Sequence, residues 1–307
     1  MFLFLQSIDT TIFWPGILIL GFVIGFLSGT FGVGGGFLLI PLLRYVFGVP
    51  FEYAIGSTLC AITLSSISGA VVHYRRGNVS LQLGLLFLCG SIPGVELGTR
   101  LLNALKTVTL HQGTFATAHT FDFVIGCCFV ILLLFSAGLM FKDALKFNKS
   151  NSEKTVIRDM KTYKLHFFYN NLTFSHLDCA SNTDYVNGIY VIILGTAVGV
   201  LSGFLGIGGG IIVTPVLISL AGLPSVLVIG TSLFQLTITA ASGAVLHAVR
   251  GNVNLTLVGL IAVTSIFGSI IGSRVTSKMR GKKIRVLYAV FLLLSTVFIC
   301  IEMYLNK

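Results

Sequence analysis

The sequence predicts an all-α protein that crosses a membrane many times, built from two copies of one module whose helices are broken by glycine. Three observations predict it. The 307 residues are 55% hydrophobic and only 10% charged, against about 25% charged in soluble domains. Apolar runs of spanning length, roughly 17–25 residues, recur along nearly the whole chain. A glycine-rich sentence appears twice, as GTFGVGGGFLLIP from Gly29 and as GFLGIGGGIIVTP from Gly203.

The elements follow in order. The first half carries apolar segments at about 11–31, 36–48, 53–74, 81–101 and 119–141. The second carries them at about 188–206, 211–222, 227–248, 254–275 and 284–304. The first run follows no basic stretch, so it reads as a spanning segment and not as a cleaved signal peptide. The second segment of each half is only 12 or 13 residues long. At ~1.5 Å per residue it is too short for ~30 Å of hydrocarbon. The one extended polar stretch lies between the halves, giving membrane modules at 1–141 and 188–307 joined by a solvated linker at 142–187. The sequon at Asn171 is too short a pattern to weigh.

The halves are copies. Shifted by 174 positions, Gly25–Leu101 lies on Gly199–Val275 without a gap, and 33 of the 77 pairs are identical. Pro41 meets Pro215, SGAV from Ser68 meets SGAV from Ser242, and RGNV from Arg76 meets RGNV from Arg250. Five segments per module make the two copies face opposite ways; were only one of the first two segments in each to cross, they would be parallel. With the amino terminus outside, YRRGN at Tyr74–Asn78, the lysine-rich linker and SKMRGKK at Ser277–Lys283 share one face. Such basic weight marks the cytoplasmic side. The net charge of +10 is read this way and not as a nucleic-acid surface.

Several chemistries are excluded. The six cysteines form no CxxC pair and have no histidine at ligand spacing, so they read as small buried hydrophobes, not as a metal or disulfide set. No GK[ST] follows the glycines, so they do not cradle a nucleotide. No nucleophile–base constellation appears in either half, so no enzyme and no cofactor is expected.

Gly34–Gly36 and Gly208–Gly210 interrupt any helix, because glycine loses the most backbone entropy on ordering. In lipid a helix breaks only where the freed amides are buried in protein or line a polar cavity. Carriers with inverted repeats aim half-helix amino termini, with exposed N–H groups and a positive dipole end, at an anion near the midplane. The segments that begin after Gly36 and Gly210 fit that use; close helix packing is the alternative. Thr58 and Ser232 are the best hydroxyl candidates for an anion path, though hydroxyls also hold helices together. Gln235 stands where the first half has Ala61 and breaks the symmetry.

His73 and His247 lie one turn beyond SGA. Each is a candidate to carry a coupling proton, though a histidine at such a place is more often an interfacial hydrogen bonder. Arg76–Gly77–Asn78 and Arg250–Gly251–Asn252 read as a helix stop and topology anchor; the other reading is anion capture at each mouth. Glu96 and Arg100, four apart, share a helix face and read as a structural pair.

With the glycine sentences, SGAVVHYRRGNV, SGAVLHAVRGNV and the gapless repeat, the chain resembles the TauE/SafE family of membrane permeases. The resemblance covers both halves and leaves out the linker, which looks like an elaboration. It implies a polytopic carrier of sulfur-containing anions, sulfite and organosulfonates among them. The family's glycine-rich motif falls on Gly32, Gly34, Gly35 and Gly36 and on Gly206, Gly208, Gly209 and Gly210. The partners expected are the bilayer of a bacterial inner membrane, a small anion, a coupling proton and, at the level of assembly, a second copy in a homodimer. A passive anion channel and a non-transporting membrane anchor or sensor are the alternative readings.

Overall fold

A computed structural model describes residues 2–5, 10–110, 115–146, 166–168, 173–175, 185–205, 209–219, 223–279 and 281–305. Gly206, Gly208, Cys179, Asn171 and most of the linker fall outside these residues. Among the described residues ten helices follow one another. They are α1 (Trp14–Phe31), α2 (Gly36–Tyr45), α3 (Phe51–Arg75), α4 (Leu81–Leu110) and α5 (Phe115–Lys146), then α6 (Gly188–Leu205), α7 (Gly210–Ser219), α8 (Ser225–Val249), α9 (Leu255–Thr276) and α10 (Gly281–Leu305). Among the described residues seven helices are long and apolar enough to cross a membrane; α2, α7 and Val191–Leu205 of α6 are shorter apolar stretches. Among the described residues there are also two small antiparallel sheets, one pairing Phe2–Leu5 with Thr10–Phe13 and one built from His166–Phe168, Thr173–Ser175 and Tyr185–Asn187.

Two boundaries differ from the sequence reading. The segment after 101, expected as a loop, continues as helix to Leu110, and α5 runs past 141 to Lys146. No glycine or proline intervenes between Leu101 and Leu110, so nothing local stops the helix where the hydrophobic run ends.

Packing follows the repeat. Glycines let α1 lie directly on α9: a Cβ at Gly25 would run into Ser265, one at Gly29 into Ser269, and one at Gly268 into Phe22. The same contacts recur, with the halves exchanged, between α4 and α6, where Gly199 meets Ser91, Gly203 meets Val95 and Gly94 meets Thr196. Each pair of residues in one seam equals a pair in the other after the 174-residue shift, which is the signature of a two-fold relation. Both seams join parallel helices, since residue numbers rise together along them. The central pair, α3 and α8, is antiparallel: Gly56 meets Asn252 and Gly230 meets Asn78 at the ends, and Thr237 Oγ1 bonds Ser66 Oγ at 3.1 Å near the middle. As α3 and α8 are matching elements, the two halves run in opposite directions.

Large apolar side chains on the outer faces stay exposed, among them Ile19, Ile131, Phe135, Ile193, Phe267 and Leu294. In water such a belt would be an aggregation site; against lipid tails it is the expected surface.

Candidate functional site: two glycine breaks at the helix crossing

The first break separates α1 from α2. Gly32, Gly34 and Gly35 have φ of +70°, +82° and +71°, which L side chains rarely adopt. Gly35 is the N-cap of α2, and Gly209, φ +84°, precedes α7 in the same way. A Cβ at Gly34 would lie 2.6 Å from Leu236 and 3.3 Å from Ile62, residues at the middles of α8 and α3. The first break therefore sits at the mid-length of the central pair. The second arrives at the same place: a Cβ at Gly210 would meet the Gly32 carbonyl and lie 2.8 Å from Val33 Cα. The amino end of α7 is packed onto the first break.

A Cβ at Gly35 would strike Ile24, and one at Gly209 would lie 2.5 Å from Val198 Cγ1. These glycines are required by backbone sign and by packing on α1 and α6.

The carboxyl end of α1 is satisfied across the repeats. A helix leaves its last four carbonyls without partners, and in lipid each must find one. Ser273 Oγ donates to Gly29 (3.3 Å), Thr276 Oγ1 to Thr30 (2.7 Å) and Thr214 Oγ1 to Phe31 (3.4 Å), and Ser232 Oγ lies 3.1 Å from the Gly32 oxygen. All four hydroxyls come from the second half and all are buried. The Ser232 hydroxyl thus faces carbonyls. Thr58, its counterpart, is fully buried and its hydroxyl has no partner.

Proline in a half-helix frees another carbonyl. Pro215 cannot donate to Ile211, and Tyr288 Oη of α10 donates to that oxygen at 3.3 Å. The Tyr288 ring lies 5.1 Å from Phe31, so α10 braces both breaks. Tyr288→Phe is expected to lower stability by ~1–3 kcal/mol, since it leaves a buried acceptor unpaired. A melting temperature in detergent equal to that of the wild type would refute this role.

The remaining candidates are spread out. Gln235 is buried on α8; its Nε2 lies 3.3 Å from Thr239 Oγ1, while its Oε1 is unpaired. His73 and His247 are buried, and no well-formed hydrogen bond reaches either ring, although the Gly29 carbonyl lies near His73. Arg76–Asn78 and Arg250–Asn252 close their helices as Schellman motifs. Asn78 N donates to the His73 carbonyl at 3.0 Å and Gly77 N to that of Tyr74 at 3.0 Å; Asn252 N and Gly251 N repeat this on His247 and Ala248. The turns then dock on the opposite half, where Ser80 N donates to Thr231 Oγ1 and Asn254 N to Ser57 Oγ, each at 3.0 Å. The Arg76 guanidinium reaches the Arg274 carbonyl at 3.5 Å, near the end of α9. Glu96 and Arg100 form an exposed pair at 2.8 Å.

Sequence reasoning missed Arg285, buried at the start of α10 between Asp143 (3.3 Å) and Ser225 Oγ (3.1 Å). Arg285 and Asp143 lie 142 positions apart in different halves and outside the gapless repeat, so only the fold brings them together.

With this geometry in place, the comparisons with known proteins are specific. Residues 17–299 match the family described as Sulfite exporter TauE/SafE. A Bacillus subtilis (strain 168) protein described as "Probable membrane transporter protein YunE" is 25% identical over 91% of this chain and 94% of its own. A second, "Probable membrane transporter protein YdhB" of the same strain, is 25% identical over 86% and 90%. A Methanocaldococcus jannaschii protein with the same description of function is 23% identical over 89% and 90%. No solved structure matches. A match over almost the full length, on a chain in which seven of the described helices are long and apolar enough to cross a membrane, shows that it belongs to the TauE/SafE family of multi-pass membrane transporters.

Proposed function

We propose that the protein is a secondary carrier of a small sulfur-containing anion, sulfite or an organosulfonate, in a bacterial inner membrane. The observation that carries the reading is the meeting of the two breaks: the amino end of α7 rests on Gly32–Val33 at the mid-length of α3 and α8. The first N–H groups of α2 and α7 have no acceptor within their own helices. Each amino end also carries about +0.5 of a charge. Those two ends give an anion a site without a charged side chain, and the family's description supplies the sulfur chemistry.

The antiparallel α3 and α8 support inverted halves. Tyr74–Asn78, the linker and Ser277–Lys283 then face the cytoplasm. Without an ATP motif, the driving force is the membrane potential or a proton, with His73 and His247 as the candidates to carry it.

The test is flux in proteoliposomes of purified protein against sulfite, sulfate, thiosulfate, sulfoacetate and taurine, with and without a pH gradient. Saturable accumulation of one anion driven by the gradient is expected. Flux that stops at equilibrium would make the protein a channel. No flux from folded protein would leave the breaks as packing and point to an anchor or sensor.

A further inference from the structure

A narrow crevice lies beside the second break, between α4, α7 and the first turns of α8. About 170 Å³ of non-atom space lies along it, part of it open to the surroundings, and none of it admits a water-sized sphere in this conformation. Leu83, Phe87, Val213 and Leu217 form apolar walls, and the polar lining is Thr231, Ser232 and Gln235. Thr231 accepts the Ser80 amide and Ser232 faces the Gly32 carbonyl. Gln235, only 1% exposed, keeps one terminal atom without any partner. A half-turn of its amide exchanges oxygen and nitrogen, so that free position can accept from a ligand or donate to one. A buried amide left half unpaired costs ~1–3 kcal/mol, which a bound polar group would offset.

The other half does not repeat this construction. By the 174-residue shift, Ala61 stands for Gln235, Leu39 for Val213 and Val258 for Gly84, another lining residue. The amide is gone while Ser57 and Thr58 keep the two hydroxyls, and two of the walls are larger. The crevice also starts one turn from the amino end of α7, where Val213 N bonds the Gly209 carbonyl at 3.3 Å. An anionic group at that helix end would place its own substituent against Val213.

We propose that this crevice is a one-sided binding site for the uncharged organic substituent of the transported anion, and that Gln235 is its specificity-determining side chain. The site rests on the carrier reading above. It takes a small anion with a short apolar or hydrogen-bonding tail in preference to a bare oxyanion, because four of its walls are apolar and its one unpaired group is a neutral amide. In this structure the crevice is too narrow for a ligand, so binding widens it.

The experiment measures initial uptake of sulfite, ethanesulfonate and 2-hydroxyethanesulfonate by the reconstituted full chain, as wild type, Gln235→Ala and Val213→Leu. The second variant installs the residue of the first half and fills the crevice. Both are expected to reduce uptake of the two organic anions about tenfold or more while sulfite changes less than about twofold, on the scale of one group in a pocket. Gln235→Asn is expected to recover part of the 2-hydroxyethanesulfonate rate. Sulfite flux reports folding of each variant. Unchanged ratios between the anions in both variants, or a wild type that carries sulfite and neither organic anion, would overturn the crevice while leaving the carrier intact. Absence of all flux in the wild type rejects the carrier itself.

Discussion

Valine at Gly25 or Gly199 will remove the protein from the membrane fraction, whereas valine at Gly138 or Gly259 will leave it there at the wild-type level. The first two lie in the seams, where an added side chain meets the backbone of Ser265 or Ser91. Backbone cannot rotate away as a side-chain tip can. Each seam also has close glycine contacts one turn above and below, at Gly21 and Gly29 in one and at Gly195 and Gly203 in the other. The helices cannot separate at one point without opening the whole contact. Overpacking a well-filled core costs ~1–3 kcal/mol, and a seam held by backbone contact is expected at the upper end. At Gly138 and Gly259 nothing lies within 4 Å of an added Cβ, and valine suits a helix better than glycine does. Immunoblots of membrane fractions with fluorescence-detected size exclusion decide it. Equal folded yield at all four positions would mean that the seams are looser than the structure shows.

The seams also show what was legible in the sequence. Segment number, the short second helices and the 174-residue offset could all be read from hydropathy and identity alone, and each helix began within a few residues of its expected place. Break positions were readable because three consecutive glycines have few other uses in lipid. Which helix each glycine faces was not readable. Gly25 pairs with Ser265 and Gly94 with Thr196, contacts between halves that no local pattern encodes. The role of the hydroxyls stayed open for the same reason. Ser232, polar in an apolar run, suited an anion path or a helix contact, and the structure sets its Oγ 3.1 Å from the Gly32 carbonyl at the end of another helix. The RGN turns were legible as helix stops because a Schellman motif is local. Their docking on Gly56 and Gly230 depends on the two-fold relation. Arg285 carried no signal, since its partners Asp143 and Ser225 lie at the ends of other helices.

Removing the hydroxyls that close α1 will destabilise the protein strongly. Thr214→Val and Thr276→Val keep shape and delete one donor each, and Ser232→Ala deletes the hydroxyl that the Gly32 and Ile229 carbonyls share. Each leaves a buried carbonyl without its partner, at ~1–3 kcal/mol. Water cannot substitute, because all three side chains are at most 2% exposed. The carbonyls of Thr30, Phe31 and Gly32 would then lack these donors, beside the helix end proposed to hold the anion. The penalty is also specific to α1. The first half has Ile40 and Leu102 where the second has Thr214 and Thr276, so this set of caps is not duplicated for α6. The triple variant is expected to melt well below the wild type in detergent and to lose flux, while Thr276→Ser, which keeps the donor, melts close to it. If the triple variant melts with the wild type, the α1 carbonyls are satisfied by other means and the hydroxyls regain the role the sequence suggested, that of lining the path of the anion. Loss of flux at an unchanged melting temperature would say so directly.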